Sequence, residues 1–151
     1  MVMVVDSLRI RFCEEGDLPK VYEIERISFK DPYPLWLLKF YYVISGDLFL
    51  VADVSGRVVG YVIGLLERGR VGHVISIAVH PKLRGKGIGE RLLRQLLMRL
   101  KAKGARLARL EVRPSNKSAI ALYKKMGFKE VKLIPRYYED GEACIVMELS
   151  L

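Results

Sequence analysis

A chain of 151 residues, 51% hydrophobic and 28% charged, suits one compact domain with a single sizeable core and is too apolar for a disordered chain. No run approaches the ~20 uninterrupted apolar residues of a membrane helix, and the start, MVMVVDSLRIRF, lacks a basic leader, apolar stretch and cleavage site, so a cytoplasmic protein with no membrane partner is expected. The net charge of +9 favours polyanions and phosphate-bearing ligands, but one Asn, one Gln and no Thr make the composition thermophile-like, and such a surface accounts for much of that charge.

The first predicted element is a strand, LRIRF (8–12), from its alternation. Asp17 is placed to cap a helix that carries Pro19 in its first turn and runs to about Phe29. KDPYP (30–34) breaks the chain before a second helix, LWLLKFYYVIS (35–45), whose Trp36, Phe40 and Tyr41 are expected in the core. The segment 48–69 divides at Ser55-Gly56 into a hairpin, and VGHVISIAVH (71–80) is a third consecutive strand. A glycine loop follows, with His80 facing solvent, and then a helix over 87–103. Its Ile88, Leu92, Leu96 and Leu100 recur every four residues, and Leu93 and Leu97 widen the stripe.

ARLARLEVR (105–113) is a strand after a helix, which predicts a crossover and parallel strands at 73–79 and 106–112. Between 114 and 128 a helix has Ser115 or Asn116 to cap it and Gly127 to stop it. KEVKLIPRYY and EACIVMELSL close the chain as a strand pair around Asp140-Gly141. The order β-α-α-β-β-β-α-β-α-β-β describes an α+β fold, a mixed α/β sheet. No repeat or linker divides 1–151, so a single domain is expected. Cys13 and Cys144 belong to no C-x-x-C pair, which predicts two buried thiols on separate strands and no metal site.

HPKLRGKGIGERLL (80–93) sets Gly85, Gly87 and Gly89 at alternate positions behind a basic residue, and so asks what approaches the main chain there. A Walker loop fails because Gly85-Lys86 is followed by Gly87 where Ser or Thr is required. A Rossmann fingerprint would put its third glycine at Glu90, and its first would follow the strand without the intervening HPKLR. A third arrangement remains: successive backbone N–H groups at a helix head wrap a pyrophosphate, with charge from Arg84 or Lys86. A turn that merely saves space is the bland alternative.

SIAVHPKLRGKGIGERLL followed closely by LEVRPSNKSAIALYKKMGF resembles the GNAT superfamily of acetyl-CoA-dependent N-acetyltransferases. Arg84-Gly85-Lys86-Gly87-Ile88-Gly89 matches its R-x-x-G-x-G signature. The second block is similar to the branch of ribosomal-protein-alanine and archaeal protein N-terminal acetyltransferases. The resemblance spans about residues 8–149. It implies the GNAT fold with splayed central parallel strands and pyrophosphate on amides 84–89. It also implies pantetheine along Ile77, Ala78 and Val79, whose amides polarise the thioester carbonyl.

Amide synthesis from a thioester needs a neutral amine, a stabilised oxyanion and a proton for the leaving thiolate. Glu111 is the only acid of its strand, and burial there would raise its basicity, although an ion pair with Arg109 or Arg113 is the alternative. The family match implies that it is the base. Tyr123 lies two helical turns from Asn116 on one face, about 10 Å along the axis. The resemblance implies that Tyr123 protonates the thiolate and Asn116 binds pantetheine; core packing and helix capping are the alternatives. GHVISIAV is similar to archaeal N-terminal acetyltransferases whose histidine lies near the glutamate, which makes His73 a candidate relay or adventitious metal ligand.

SFKDPYP (28–34) and PRYYEDG (135–141) resemble the family's peptide-binding loops, implying Tyr33, Tyr137 and Tyr138 as substrate contacts. The expected activity is acetylation of the α-amine of protein N-termini, ribosomal proteins included, by a monomer or homodimer. The rivals are a GNAT enzyme acting on lysine or small amines, and a basic RNA-binding or ribosome-binding module. With no RNP-like aromatic strand, a direct nucleic-acid function is not expected.

Overall fold

The computed structural model describes residues 7–151; residues 1–6, on which much of the expectation about a leader rests, lie outside the described residues. In chain order the elements are β1 (Leu8–Phe12), α1 (Leu18–Ser28), α2 (Leu35–Ser45), β2 (Phe49–Val54), β3 (Arg57–Glu67) and β4 (Val71–Val79). There follow α3 (Ile88–Ala102), β5 (Leu107–Val112), α4 (Lys117–Lys125), β6 (Lys129–Ile134) and β7 (Cys144–Ser150). This is the order read from the sequence. The strands form one seven-stranded sheet, β1-β2-β3-β4-β5-β7-β6, antiparallel except between β4 and β5.

Both faces of the sheet are covered, and each has its own core. On one face Leu92, Leu93, Leu96 and Leu100 of α3 are wholly buried against β-strand residues and against Tyr123 and Phe128. Burying each such leucine contributes about 1.5–3 kcal/mol. On the other face Leu18, Val21 and Ile24 of α1 and Leu38 of α2 pack on Phe49, Val51, Tyr61 and Ile63. The expected core role of α2 holds for Leu38 but not for two of its aromatics. Trp36 is 69% exposed and Phe40 51%; Tyr41 is partly buried against the core. An 11-residue helix with apolar groups on every side can turn only one of them inward.

Two local expectations change. Asp17 makes no side-chain cap to α1. Its carboxylate accepts Glu14 N–H at 2.8 Å and pairs with Arg11 at 2.7 Å, a charge-assisted contact stronger than a bond to a helix amide. Cys13 follows β1 and does not lie within a strand, whereas Cys144 lies on β7; both are free and buried.

The feature that creates the site is a break in the middle of the sheet. The parallel ladder, expected over 73–79 and 106–112, joins only Val71–His73 to Leu107–Arg109. On the other edge of β4, Ile63 pairs with Ser76 and Gly64 with Val74, leaving Ile75 as an extra residue. Such a bulge bends its strand and increases the local twist, carrying β4 away from β5. It also puts two consecutive side chains on one face: Ile75 packs toward the α1 side, and Ser76 bonds to Glu25 of α1.

Candidate active site

Two clefts open where β4 and β5 diverge. The larger, about 470 Å³, is lined by Ile77, Ala78 and Val79 of β4, the turn residues Arg84, Gly85 and Gly87, and the start of α3; Asn116, Ala119, Leu122 and Lys125 close it from α4. Gly85 and Gly87 have φ of +78° and +82°, and a Cβ on either would meet nothing within 4 Å, so left-handed backbone and open space coincide there. Arg91 N–H is bonded to Gly87 O at 3.1 Å. The amides of the preceding turn have no earlier helical turn to accept them and remain available to an anion. An extended ligand with a pyrophosphate fits this cleft.

The basic residues of the loop divide their roles. Arg84 donates through Nε to Val79 O at 2.9 Å and through a terminal nitrogen to Ser28 Oγ at 3.0 Å, so its side chain ties the loop to β4 and to the end of α1. Lys86 is exposed and does not line the cleft. His80 Nδ1 accepts Lys82 N–H at 3.2 Å and shapes the turn.

The smaller cleft, about 160 Å³, lies on the α1 side. Glu25, Phe29, Asp31 and Tyr33 come from α1 and the loop after it, Ile75 and Ser76 from the bulge, Glu111 and Arg113 from the end of β5, and Tyr138 from the loop before β7. Phe29 and Asn116 line both clefts. Asn116 Oδ1 accepts Ala119 N–H at 3.3 Å and caps α4, while Ser115 turns to Glu142.

Glu111 pairs with neither neighbouring arginine. Its two oxygens accept from His73 Nε2 at 2.8 and 3.0 Å, and His73 Nδ1 faces Glu67 at 3.1 Å. His73 is the last residue of the parallel ladder. The hydrogen bond to Glu111 raises the His73 pKa, and Glu67 adds to the effect. Arg109 is paired with Glu148. Arg113 stacks 3.9 Å above the Tyr138 ring and bonds to Asp31, Asp140 and Glu142 at 2.6–3.0 Å. One guanidinium thus links both loops that flank the smaller cleft.

Of the expected aromatic contacts, Tyr33 and Tyr138 line the smaller cleft. Tyr137 lies beside them, half exposed, its ring centroid 5.0 Å from that of Tyr138. Tyr123 is buried, with its ring against Phe128, and lines neither cleft; burial raises its pKa.

Sequence reasoning passed over Glu25. Its relative exposure is 2%, and it accepts hydrogen bonds from Tyr61 Oη, from Ser76 Oγ at 3.0 Å and from Tyr33 N–H at 3.0 Å. Burial raises its pKa. The available signal was its position four residues after Val21, on the buried stripe of α1. Among the described residues no group of three or more His, Cys, Asp or Glu converges on a metal position, and no helix is long and apolar enough to cross a membrane.

Residues 18–128 match the acetyltransferase (GNAT) family. The chain is 44% identical over 139 residues to an uncharacterized N-acetyltransferase of Methanocaldococcus jannaschii, covering 91% of this chain and 88% of that one. It is 37% identical over 157 residues to an N-alpha-acetyltransferase of Sulfolobus acidocaldarius, covering 96% and 94%. The crystal structure of the ribosomal-protein-S18-alanine N-acetyltransferase from Escherichia coli superposes with a TM-score of 0.81 at 31% identity, over 95% of this chain and 93% of that one.

Proposed function

The chain belongs to the GNAT acetyltransferase family and is an acetyl-CoA-dependent N-acetyltransferase; on that premise we propose that its acceptor is the α-amine of protein N-termini, ribosomal proteins included. The observation that carries this reading is Glu111, held by His73, in the lining of a narrow cleft that shares Phe29 and Asn116 with the cofactor cleft. An α-amine has a pKa of about 7.7–8.0 against about 10.4 for lysine, so near neutrality a few hundred-fold more of it is uncharged or easily made so. One carboxylate suffices to remove its proton. The likeness to an archaeal N-alpha-acetyltransferase supports the same acceptor.

Acetyl-CoA supplies the activated acyl group. For its part the chain offers the amides of the turn 84–89 to the pyrophosphate and the free edge of Ile77, Ala78 and Val79 to the pantetheine, beside Asn116. Glu111 takes the proton of the amine on a carboxylate oxygen. His73 fixes that carboxylate through Nε2–H and is itself held by Glu67, and the proton passes from Glu111 to water in the cleft that it lines. Tyr123, on α4 beside the cleft-lining Leu122, is assigned the proton that the leaving group requires. Tyr33, Tyr137 and Tyr138 pack on the first residues of the acceptor.

The test is mass spectrometry of a defined peptide library incubated with protein and acetyl-CoA, with N-terminally blocked lysine peptides and polyamines alongside. Acetylation confined to free N-termini is expected. Preferential modification of the blocked lysine peptides or polyamines would overturn the reading.

A further inference from the structure

The base and its histidine account for one carboxylate of the acceptor cleft; a second, Glu25, has no assigned work. Its surroundings are unusual for a buried acid. Three elements converge on it, β3 through Tyr61, β4 through Ser76 and the loop after α1 through Tyr33, and each supplies a neutral donor. The charged groups that share its cleft are Asp31, Glu111 and Arg113, and that arginine already faces Asp31, Asp140 and Glu142. A carboxylate withdrawn from water with no cation beside it is costly to keep charged. Glutamine would fill the same space without that cost.

A carboxylate offers about four lone-pair positions. Among the described residues Oε1 accepts from Tyr61 and Ser76 and Oε2 only from Tyr33 N–H, which leaves Oε2 room for one more donor in a residue that lines the cleft. A small cation arriving through the cleft would supply that donor and offset the charge. We propose that Glu25 receives the charged α-ammonium of the acceptor before its proton is removed and, through Tyr33 N–H, holds the entrance loop in register around it. The assignment rests on the acceptor proposed above. Glu25 binds the amine as an ammonium, and the proton then passes from its nitrogen to Glu111.

The experiment compares two ligands on protein saturated with CoA, which permits binding without turnover. One is a short peptide with a free N-terminus. The other is its des-amino analogue, of the same shape without the ammonium. Calorimetry on the wild type is expected to show the free peptide binding about ten- to a hundredfold more tightly, the range of a hydrogen bond to a charged group. Glu25→Gln is expected to bring that ratio close to one and to leave the des-amino affinity unchanged. A variant in which both ligands weaken in parallel, or the ratio persists, overturns the assignment.

Ser76→Ala gives a second arm that does not depend on the folding of Glu25→Gln. It removes one neutral donor and keeps the carboxylate, so the ratio should stay at or above the wild-type value; a fall overturns the assignment. Failure of the wild type to bind the free peptide would overturn the acceptor reading itself, and with it this one. A ratio that persists in Glu25→Gln overturns only the role of Glu25.

Discussion

The two clefts that meet at Phe29 and Asn116 are built on opposite plans. The cofactor side is mainly two local runs of chain, 77–79 and 84–90, with α4 as its far wall. Its proposed binding groups are backbone amides, and its conformation is set by glycines at positive φ. The acceptor side draws single residues from α1, β4, β5 and two loops, and its groups are side chains held by one another. Backbone recognition tolerates change in most side chains but not in the residues that shape the turn. A side-chain site behaves the other way: the fold survives substitution and the chemistry does not.

The largest expected effect falls on the acceptor side. Glu111→Gln should lower kcat about a thousandfold, within the 10²–10⁴ typical of a lost general base, while acetyl-CoA affinity measured by titration calorimetry stays near the wild-type value. A variant that loses cofactor affinity instead would erase the division between the clefts. Tyr123→Phe should slow transfer about a hundredfold if the buried phenol supplies the second proton; equal rates across the pH range would return it to the core.

The complementary change belongs to the turn. Gly87→Val puts a β-branched residue at φ +82°, where the strain is ~1–2 kcal/mol. It should weaken acetyl-CoA binding about tenfold and leave acceptor KM unaltered at saturating cofactor. The smallest effect concerns His73. Its pKa is raised in the folded protein, so its contribution to stability is complete below the unfolded value of about 6.5 and is lost as pH rises through the folded value. Thermal melts at a series of pH values should show that decline in the wild type and a flatter profile in His73→Gln.

The same contrast explains what could be read from the chain. The element order, α3 with its four-residue leucine repeat, and the glycine turn are encoded in contiguous residues and were legible. Asp17 fits a helix cap by local pattern alone, because its competitor, Arg11, sits on another element. Trp36 and Phe40 looked like core because spacing marks the faces of a helix without saying which one turns inward. The short β4–β5 ladder was hidden for a related reason. Ile75 is an ordinary strand residue until its register against β3 is known, and Glu25 is an ordinary helix acid until Tyr61, Ser76 and Tyr33 close around it. What escaped was whatever depends on residues far apart in the chain.

The unzipped rungs between β4 and β5 reverse the usual order of protection in a sheet. Rim strands normally surrender their amide protons to deuterium first and the centre last. Here the amides of 76–79 that turn toward β5 find no strand opposite them, so exchange should run quickest along a seam in the sheet's interior while the α3 and β3 layers beside it stay slow.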